Sequence, residues 1–585
     1  MKQNKTNLGI DLGTSNSALA TFSDETSSVL NINQQLSSST FQEKDSLPSV
    51  IYTDPQSSQA IVGHWAKEMA QKQVDRTVSS AKSWLCNSQV DRSAAILPWG
   101  SEQADAMLSP IAASTAILRQ LSSQYSSDNV VITVPASFDE TARRLTTSAA
   151  KDAGFEAVTL LEEPLAALYS WISHDKEQWR EQVSDGDLIL VCDIGGGTSD
   201  FSLVAVSDNE GQLNLERISV GRHLLLGGDN MDLALAYRAK WQLEQDNHSI
   251  DDWQLASLVY QASKAKETLL SDDTIASVKV GIESRGSNLF ASAISVEIQQ
   301  EWVQQILMDG FFPQCTVEDE TTANDNSGLQ EFGLQYESDP AITKHLAEFL
   351  RSAASNVVSD ERLTKLCDSH LQGNFIKPTK VLFNGGVFNS PQLVTRVTSI
   401  LSTWCAQDVQ ALSGSSFNHA VAQGAAFYAS LKASGEGLRI RSGTAKSFYL
   451  GVESGMMAIP GFKQPTKGLC IVPQGTEEGI TLRLPKKTFA LKAGQSVNFK
   501  FYTSRERAGD QLGDVVADAE KQLEDSFTLT ASIPKLDESE NAAIGQSYPV
   551  SLDADIDELG TMNLKMQHTQ SEKSWELELD VRRHD

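Results

Sequence analysis

Two short segments of this chain set a carboxylate, glycines and hydroxyls at nearly the same spacing, and that combination suits one kind of chemistry. The first reads Asp11-Leu12-Gly13-Thr14-Ser15-Asn16-Ser17, the second Asp193-Ile194-Gly195-Gly196-Gly197-Thr198-Ser199-Asp200. Glycine has no β-carbon to hold an anion away, so backbone N–H groups in such a turn can point at a phosphate. The hydroxyls add donors, and an aspartate at a strand end can hold the hydrated cation that accompanies a polyphosphate. A single Asp-x-Gly is common in tight turns, so the weight rests on the repetition of the whole pattern.

Each segment lies between apolar runs: Leu8–Ile10 and Ala18–Phe22 around the first, Leu188–Cys192 and Phe201–Val206 around the second. Each is therefore expected to be a β-hairpin with a glycine-rich turn, and two such hairpins facing each other would clamp a triphosphate. Strand and helix patterns alternate from Asn7 to about Ala433, as in an α/β body. Ser109-Pro110, Asp139 and Ser390-Pro391 open helices, Val130–Val134 is a strand closed by Pro135, and Leu393, Val394, Val397, Ile400 and Leu401 share one helical face. Polar, acidic Cys315–Pro340 reads as an exposed loop between two helices. After Gly435-Glu436-Gly437 the period becomes two, through Val497–Phe501, Phe527–Ile533, Val550–Ile556 and Trp575–Val581, as in a β-sandwich. Arg505–Asp525 interrupts it with a charged segment, read as a loop and a short helix. No helical pattern follows the last strand, so no lid is expected over the sandwich.

The chain of 585 residues is long enough for several cores, and 40% hydrophobic with 21% charged residues is ordinary for a globular protein. A formal charge of -28 disfavours nucleic acid and anionic membrane surfaces as partners and favours solubility. The six cysteines have no Cys-x-x-Cys spacing and read as small hydrophobes in a reducing compartment. The polar start, Met1–Asn7, leaves no room for a signal peptide, and no apolar run approaches the ~20 residues of a membrane span. A cytoplasmic location is expected.

Two similar α/β halves meeting over a phosphate resemble the actin-like, ribonuclease H-like ATPases, and further motifs single out the seventy-kilodalton heat-shock (DnaK-type) chaperone family. Gly9–Ser17 differs from that family's first phosphate loop only at Ser15. Val131–Ala136 with Phe138, Arg143 and Ala153-Gly154, then Glu163-Pro164-x-Ala166-Ala167, follow at the family's spacing. Leu226-Gly227-Gly228-Asp229 resembles its second glycine turn, Lys264-Ala265-Lys266 its adenosine helix, and Gly385-Gly386 and Ala420–Ala426 complete the set. The resemblance implies a nucleotide-binding domain over 1–433, a linker over 434–446 and a substrate-binding-like β-sandwich over 447–585.

It also implies ATP or ADP and Mg²⁺ as cofactors, with K⁺ a further candidate, and slow ATP hydrolysis. Asp11 and Asp193 would hold the metal through water. Thr14, Ser15 and Thr198, with the backbone at Gly13, Asn16, Gly195, Gly196 and Gly197, would hold phosphates. Lys82 would contact the γ-phosphate, and only the resemblance picks it out, because a lysine before an apolar pair usually sits on a helix surface. Glu163 would act near the metal and water, and Asp200 would take the water's proton. Gly227, Gly228, Lys266, Gly385, Gly386 and Asn389 would line the nucleoside side, and Pro135 with Arg143 would pass the nucleotide state outward.

Several positions depart from the family. The adenosine helix carries Ser263, Lys266, Glu267 and Leu270, and Asn389 replaces a second base-stacking arginine, which predicts a weak grip on the base. Val158, Thr159, Glu162 and Leu165 replace a basic and polar co-chaperone face, so a generic J-domain partner is not expected to dock. The linker reads Gly437-Leu438-Arg439-Ile440-Arg441-Ser442-Gly443 rather than a leucine run between aspartates. These features favour a divergent ATP-dependent chaperone that binds unfolded or extended polypeptide. The alternative is a nucleotide-gated scaffold for one protein partner, with a sugar kinase a distant third.

Overall fold

A computed structural model describes residues 7–580 apart from 58, 88, 175–178, 210–211, 273, 283–293, 323–333, 335, 360, 415, 435–439, 441–446, 454–465, 475, 477–480, 485–486, 494, 505–506, 508, 524–525, 535–545, 557–560 and 572. The interior of the 315–340 segment and nearly all of the expected linker lie outside the described residues. The chain divides into a unit of Met1–Leu215, Ser219–Ala354 and His370–Arg439, and a unit of Glu216–Ile218, Ser355–Ser369 and Ile440–Asp585.

In the first unit, strands β1 (Asn7–Asp11), β2 (Asn16–Ser23) and β3 (Thr26–Val29) form a meander. Helices α1 (Ala81–Cys86) and α2 (Pro110–Ser122) precede β4 (Asn129–Val134), and α3 (Glu140–Asp152) leads to β5 (Val158–Glu162) and α4 (Glu163–His174). The helix starts follow their caps. Ser109 accepts from the Ala112 N–H ahead of Pro110, and Asp139 accepts from the Ala142 N–H. The sheet runs β5-β4-β1-β2-β3, with β4 and β5 parallel to β1 and β2 antiparallel to it.

The second half repeats this plan. Strands β6 (Leu188–Ile194), β7 (Ser199–Asn209) and β8 (Gln212–Val220) form a meander, followed by α5 (Gly228–Gln245) and α6 (Asp252–Ser271). Then come β9 (Lys380–Asn384), α7 (Pro391–Cys405), β10 (Gln410–Ala411) and α8 (Ala420–Ser434). The order β8-β7-β6-β9-β10 matches β3-β2-β1-β4-β5, again with the meander antiparallel and the later strands parallel. Leu188, Ile189, Leu190, Val191 and Cys192 are all buried, as a central strand covered on both faces requires. The expected fold class of two similar halves is present. Of the face read on α7, Leu393, Val397, Ile400 and Leu401 are buried, while Val394 is only half-buried. The flanks of the 315–340 segment are fastened rather than loose: buried Asp339 accepts from the Thr322 N–H at 2.8 Å and from its hydroxyl at 3.0 Å.

Helix α8 belongs to the second half by sequence and to the first by packing, lying on α4, β1 and β2. Small residues permit this. Ala18, Ala20, Ala422 and Ala426 form one buried cluster, and a β-carbon on Gly9 or Gly424 would strike backbone of α8 or α4.

The second unit carries a β-sandwich. One sheet contains β11 (Ser447–Val452), β12 (Lys467–Val472), β15 (Gln495–Ser504), β16 (Val515–Val516) and β17 (Ser526–Ile533), in the order β16-β12-β11-β15-β17. The other contains β13 (Thr481–Arg483), β14 (Phe489–Ala493), β18 (Gln546–Ile556), β19 (Thr561–His568) and β20 (Ser574–Asp580), in the order β13-β18-β19-β20 with β14 also on β18. Phe448, Leu450, Ile471, Phe501, Leu552, Leu564 and Trp575 fill the space between the sheets. On the outer face of the first, Tyr449, Cys470 and Tyr502 pack under the short helix α9 (Ala519–Gln522), part of the expected interruption. Among the described residues no helix is long and apolar enough to cross a membrane.

The α8 contact sets a strict volume limit. Gly424→Ala should destabilise the first unit by about 3 kcal/mol, the upper end for overpacking, because backbone and not a flexible side chain must move. Urea unfolding measures this, and an unchanged midpoint would show that α8 is not seated against α4.

Candidate functional site

The two glycine hairpins meet in a cleft of about 610 Å³. Ser15 Oγ donates to Asp229 Oδ2 at 3.1 Å across it. A β-carbon on Gly196 would strike the Ser15 side chain, and one on Gly197 would strike the Thr14 methyl. The Gly227-Gly228 turn that starts α5 rests on the second hairpin, with the Gly228 N–H donating to Gly195 O at 3.0 Å and the Asp229 N–H to Gly196 O at 2.7 Å. Gly13, Thr14, Ser15, Asn16, Gly195, Gly196, Gly197, Thr198 and Gly228 all line this space. Gly227 lies just behind them.

The register explains where the carboxylates stand. Asp11, at the end of β1, is opposite Thr133 of β4, whose hydroxyl lies 3.3 Å from Asp11 Oδ1. Asp193, near the end of β6, is opposite Asn384 of β9, whose amide donates to Asp193 Oδ2 at 2.8 Å. Gly385 follows with φ 89°, a turn that leaves no room for a β-carbon beside the Ile194 carbonyl. Across the hairpin, Asp200 is the direct partner of Asp193.

Lys82, on α1, is buried and forms an ion pair with Glu163 at the start of α4. It is therefore an interior cation and not a helix-surface charge. Burial opposes the ammonium, but the Glu163 and Asp11 carboxylates outweigh it and raise Lys82 above the ordinary lysine value. Burial, opposed by Lys82 and reinforced by Glu163, raises Asp11 to about 7. Burial and then the Glu163 charge raise Asp193 to about 8. Carboxylates outnumber ammonium groups along the cleft, so a polyphosphate entering alone would be repelled. Among the described residues no three His, Cys, Asp or Glu side chains form a metal cage. Two desolvated aspartates beside glycine cradles are a donor set that fits a hydrated Mg²⁺.

His223, on the connection after β8, has no signature in the sequence. Its Nδ1 is 2.9 Å and 3.1 Å from the two Asp200 oxygens, so Asp200 is held in place from behind. Asn384 likewise reaches the site without belonging to a recognised pattern, whereas Asp229 lies in the second glycine turn.

Ser263, Lys266, Glu267, Leu270, Gly385, Gly386 and Asn389, expected on the nucleoside side, line the same cleft. Lys266 Nζ pairs with Asp232 at 2.6 Å and donates to Gly228 O at 3.1 Å, fastening α6 to the start of α5. The Asn389 amide donates to Gly386 O at 3.0 Å and to Asn418 Oδ1 at 2.7 Å.

Pro135 and Arg143 do not line the cleft. Pro135 ends the strand whose Thr133 touches Asp11, and buried Arg143 donates to Glu162 Oε1 at 2.8 Å and to Phe138 O at 3.2 Å. This pairing corrects the expected outer face. Glu162 and Leu165 are buried, and only Val158 and Thr159 of that set are half-buried. The Glu162 charge is spent on Arg143 rather than offered to a partner. At the same edge Lys432 Nζ donates to Thr159 Oγ1 at 2.9 Å.

A family model described as Hsp70 protein matches residues 7–317. The chain belongs to the Hsp70 protein family. A chaperone protein HscA homolog of Mannheimia succiniciproducens is 32% identical over 295 residues, 47% of this chain and 44% of that one. The chaperone protein HscA of Yersinia enterocolitica is 33% identical over 291 residues, 46% of this chain and 43% of that one. A chaperone protein HscA homolog of Acinetobacter baumannii is 31% identical over 289 residues, covering 47% and 43%. The chain thus spans less than half the length of each of these curated relatives.

The raised aspartates predict a pH dependence. Their folded values of about 7 and about 8 exceed the ordinary 3.8, so the metal-free folded protein holds more protons than the unfolded chain in this interval. Their contribution to stability is full below the unfolded value and is lost as pH rises through the folded ones. Urea midpoints in chelator should fall from about pH 5 to about pH 9, and Mg²⁺ or Asp193→Asn should flatten the slope. A midpoint that rises over that range, with no effect of Mg²⁺, would contradict the assignment.

Proposed function

We propose that this protein is an ATP-dependent chaperone of the Hsp70 type, which binds MgATP in the cleft and hydrolyses it slowly. The observation that carries this reading is the meeting of two aspartate-glycine hairpins with the Lys82–Glu163 ion pair in the same cleft. In this reading residues 1–433 are the nucleotide-binding domain, 434–446 the linker and 447–585 a polypeptide-binding β domain. Soluble, cytoplasmic action fits the acidic charge.

Asp11 and Asp193 would hold Mg²⁺, which would supply neutralisation of phosphate charge. Thr14, Ser15 and Thr198 donate hydroxyls to phosphate oxygens, with backbone N–H groups from the glycine turns. Lys82 brings a positive charge to the γ-phosphate. Glu163, tied to Lys82, orients the attacking water, and Asp200 accepts its proton while His223 holds the carboxylate in place. Phosphoryl transfer to water needs little beyond this neutralisation and positioning. Gly227, Gly228, Gly385, Gly386, Lys266 and Asn389 bound the nucleoside, and with Glu267 and Asn389 in place of stacking arginines the base is gripped weakly. Thr133, Pro135, Arg143 and the adjacent Glu162 and Glu163 form the route by which the nucleotide state reaches the outside of the domain.

Lys82→Ala should lower single-turnover hydrolysis by roughly a hundredfold, about 3 kcal/mol, while calorimetry finds nucleotide affinity little changed. Hydrolysis at the wild-type rate would remove Lys82 from the mechanism, and absence of ATP turnover in the wild-type protein would overturn the reading.

The β domain is tested with fluorescent unfolded peptides on the full chain. An extended segment gains main-chain hydrogen bonds and one or two apolar pockets at a sandwich end, so binding is expected, weak and fast-dissociating and with little difference between ATP and ADP. No binding of any such peptide would favour the nucleotide-gated scaffold with one dedicated protein partner.

A further inference from the structure

The cation of the cleft rides on a helix too short to hold its own place. Helix α1, Ala81–Cys86, has six residues, and Ser80 before it takes φ 55° with no side-chain hydrogen bond capping the start. Such a helix gains little from its own hydrogen bonds, and its last carbonyls have no partner within it. Groups outside α1 must therefore fix where Lys82 stands. Glu163 holds one end, through its ion pair with Lys82. Arg92 holds the other: its Nε donates to Asn87 O at 3.1 Å and its Nη2 to Cys86 O at 3.3 Å, closing the C-terminus of α1.

The same guanidinium pairs with both oxygens of Asp139, Nη1 with Oδ1 and Nη2 with Oδ2, each at 2.7 Å. Arg92 is 6% exposed, and burial of this charge is tolerable because its donors are used. Asp139 in turn accepts from the Ala142 N–H and so caps α3. One turn further on, Arg143 donates to Glu162, and Glu163 is the next residue. The path from Lys82 along α1 to Arg92, then through Asp139, Arg143 and Glu162 to Glu163, closes on Lys82 again. Both ends of α1 are thus tied to α3 and to the junction of β5 with α4. Buried pairs of this kind set geometry more than they add stability.

We propose that Arg92 is a positioning residue, which sets where the Lys82 ammonium stands by holding the C-terminal carbonyls of α1 against Asp139. Arg92 does not line the cleft, so it acts on the site through Lys82. The consequence for hydrolysis rests on the reading of Lys82 as the group that meets the γ-phosphate. Placement matters at such a point, because a shift of about 1 Å can cost roughly a hundredfold in rate. Two variants loosen the hold in different ways. Arg92→Lys keeps a cation but loses the planar fork that reaches carbonyls and carboxylate together. Asp139→Asn keeps the cap on α3, since asparagine caps as well as aspartate, and removes the charge that Arg92 binds.

Native full-length protein is acetylated with trace acetic anhydride, and mass spectrometry follows Lys82 beside Lys266, a cation paired with Asp232 in the other half. Each variant should speed acetylation of Lys82 roughly tenfold, by local opening of α1, and leave Lys266 within about twofold of wild type. Equal speeding of both lysines would mean general loosening, and an unchanged Lys82 would mean that Arg92 does not hold it; either result overturns the proposal. These rates need no nucleotide, so absence of ATP turnover, which defeats the ATPase reading, leaves them decisive. Where turnover is present, Arg92→Lys should lower single-turnover hydrolysis roughly tenfold while MgATP affinity stays within about twofold of wild type. In the Lys82→Ala background it should have no further effect, because its route runs through Lys82. An additive loss in the double variant would refute that route.

Discussion

Asp11, Glu163, Asp193 and Asp200 converge where one buried ammonium, that of Lys82, stands beside them. Much of the first unit can be understood as the management of this crowded negative charge. Thr133 and Asn384 take one hydrogen bond each, His223 takes Asp200, and protonation near neutrality takes part of what remains. The adjacent Glu162 and Glu163 divide between opposite cations: one binds Arg143 on the side away from the cleft, the other Lys82 within it. A buried pair of this kind contributes little net stability but is costly to break, so it fixes geometry more than it strengthens the fold. The same crowding favours a cation and opposes a polyanion that enters without one.

The hairpins, the α/β alternation and the change to period two after residue 437 were legible because each depends on local chemistry. Glycines at the tips, apolar runs beside them and caps such as Ser109 and Asp139 state their roles within a few residues. What was illegible depends on pairing across long sequence distances. Asn384 matters only because β9 lies parallel to β6 in a register that puts it opposite Asp193. His223 sits in an undistinguished connection, and only the tertiary fold brings it to Asp200. Glu162 read as a surface charge because its partner Arg143 lies on another element. Lys82 was chosen by resemblance, and its burial could not be foreseen from Ala81-Lys82-Ser83-Trp84-Leu85. In the sandwich, β11, β12 and β19 were not singled out, although Met562, Leu564 and Met566 of β19 alternate as clearly as the strands that were.

The two halves repeat one topology without repeating one chemistry. Each central strand ends in an aspartate, and each parallel neighbour supplies a polar side chain to it. Yet the position opposite that aspartate on the returning strand is Ala18 in the first half and Asp200 in the second. The small residue leaves space for α8, whereas the carboxylate gains an imidazole. Equivalent points of the same scaffold thus carry a small packed residue in one half and an imidazole-bound carboxylate in the other.

The position of α8 bears on how the chain is made. The first sheet is complete in sequence by Glu162, but the helix that covers Ala18 and Ala20 ends only at Ser434. During synthesis the opening half therefore leaves the ribosome with part of its interior still uncovered. It must wait for the whole of the second half to be translated, and contacts of such sequence separation form slowly. Unfinished apolar surface of this kind is prone to association with other chains. Alanines and a glycine make the centre of the waiting surface shallow, and Phe22 and Tyr169, which later meet Phe427 and Tyr428 of α8, are the large side chains left for a stray partner to hold.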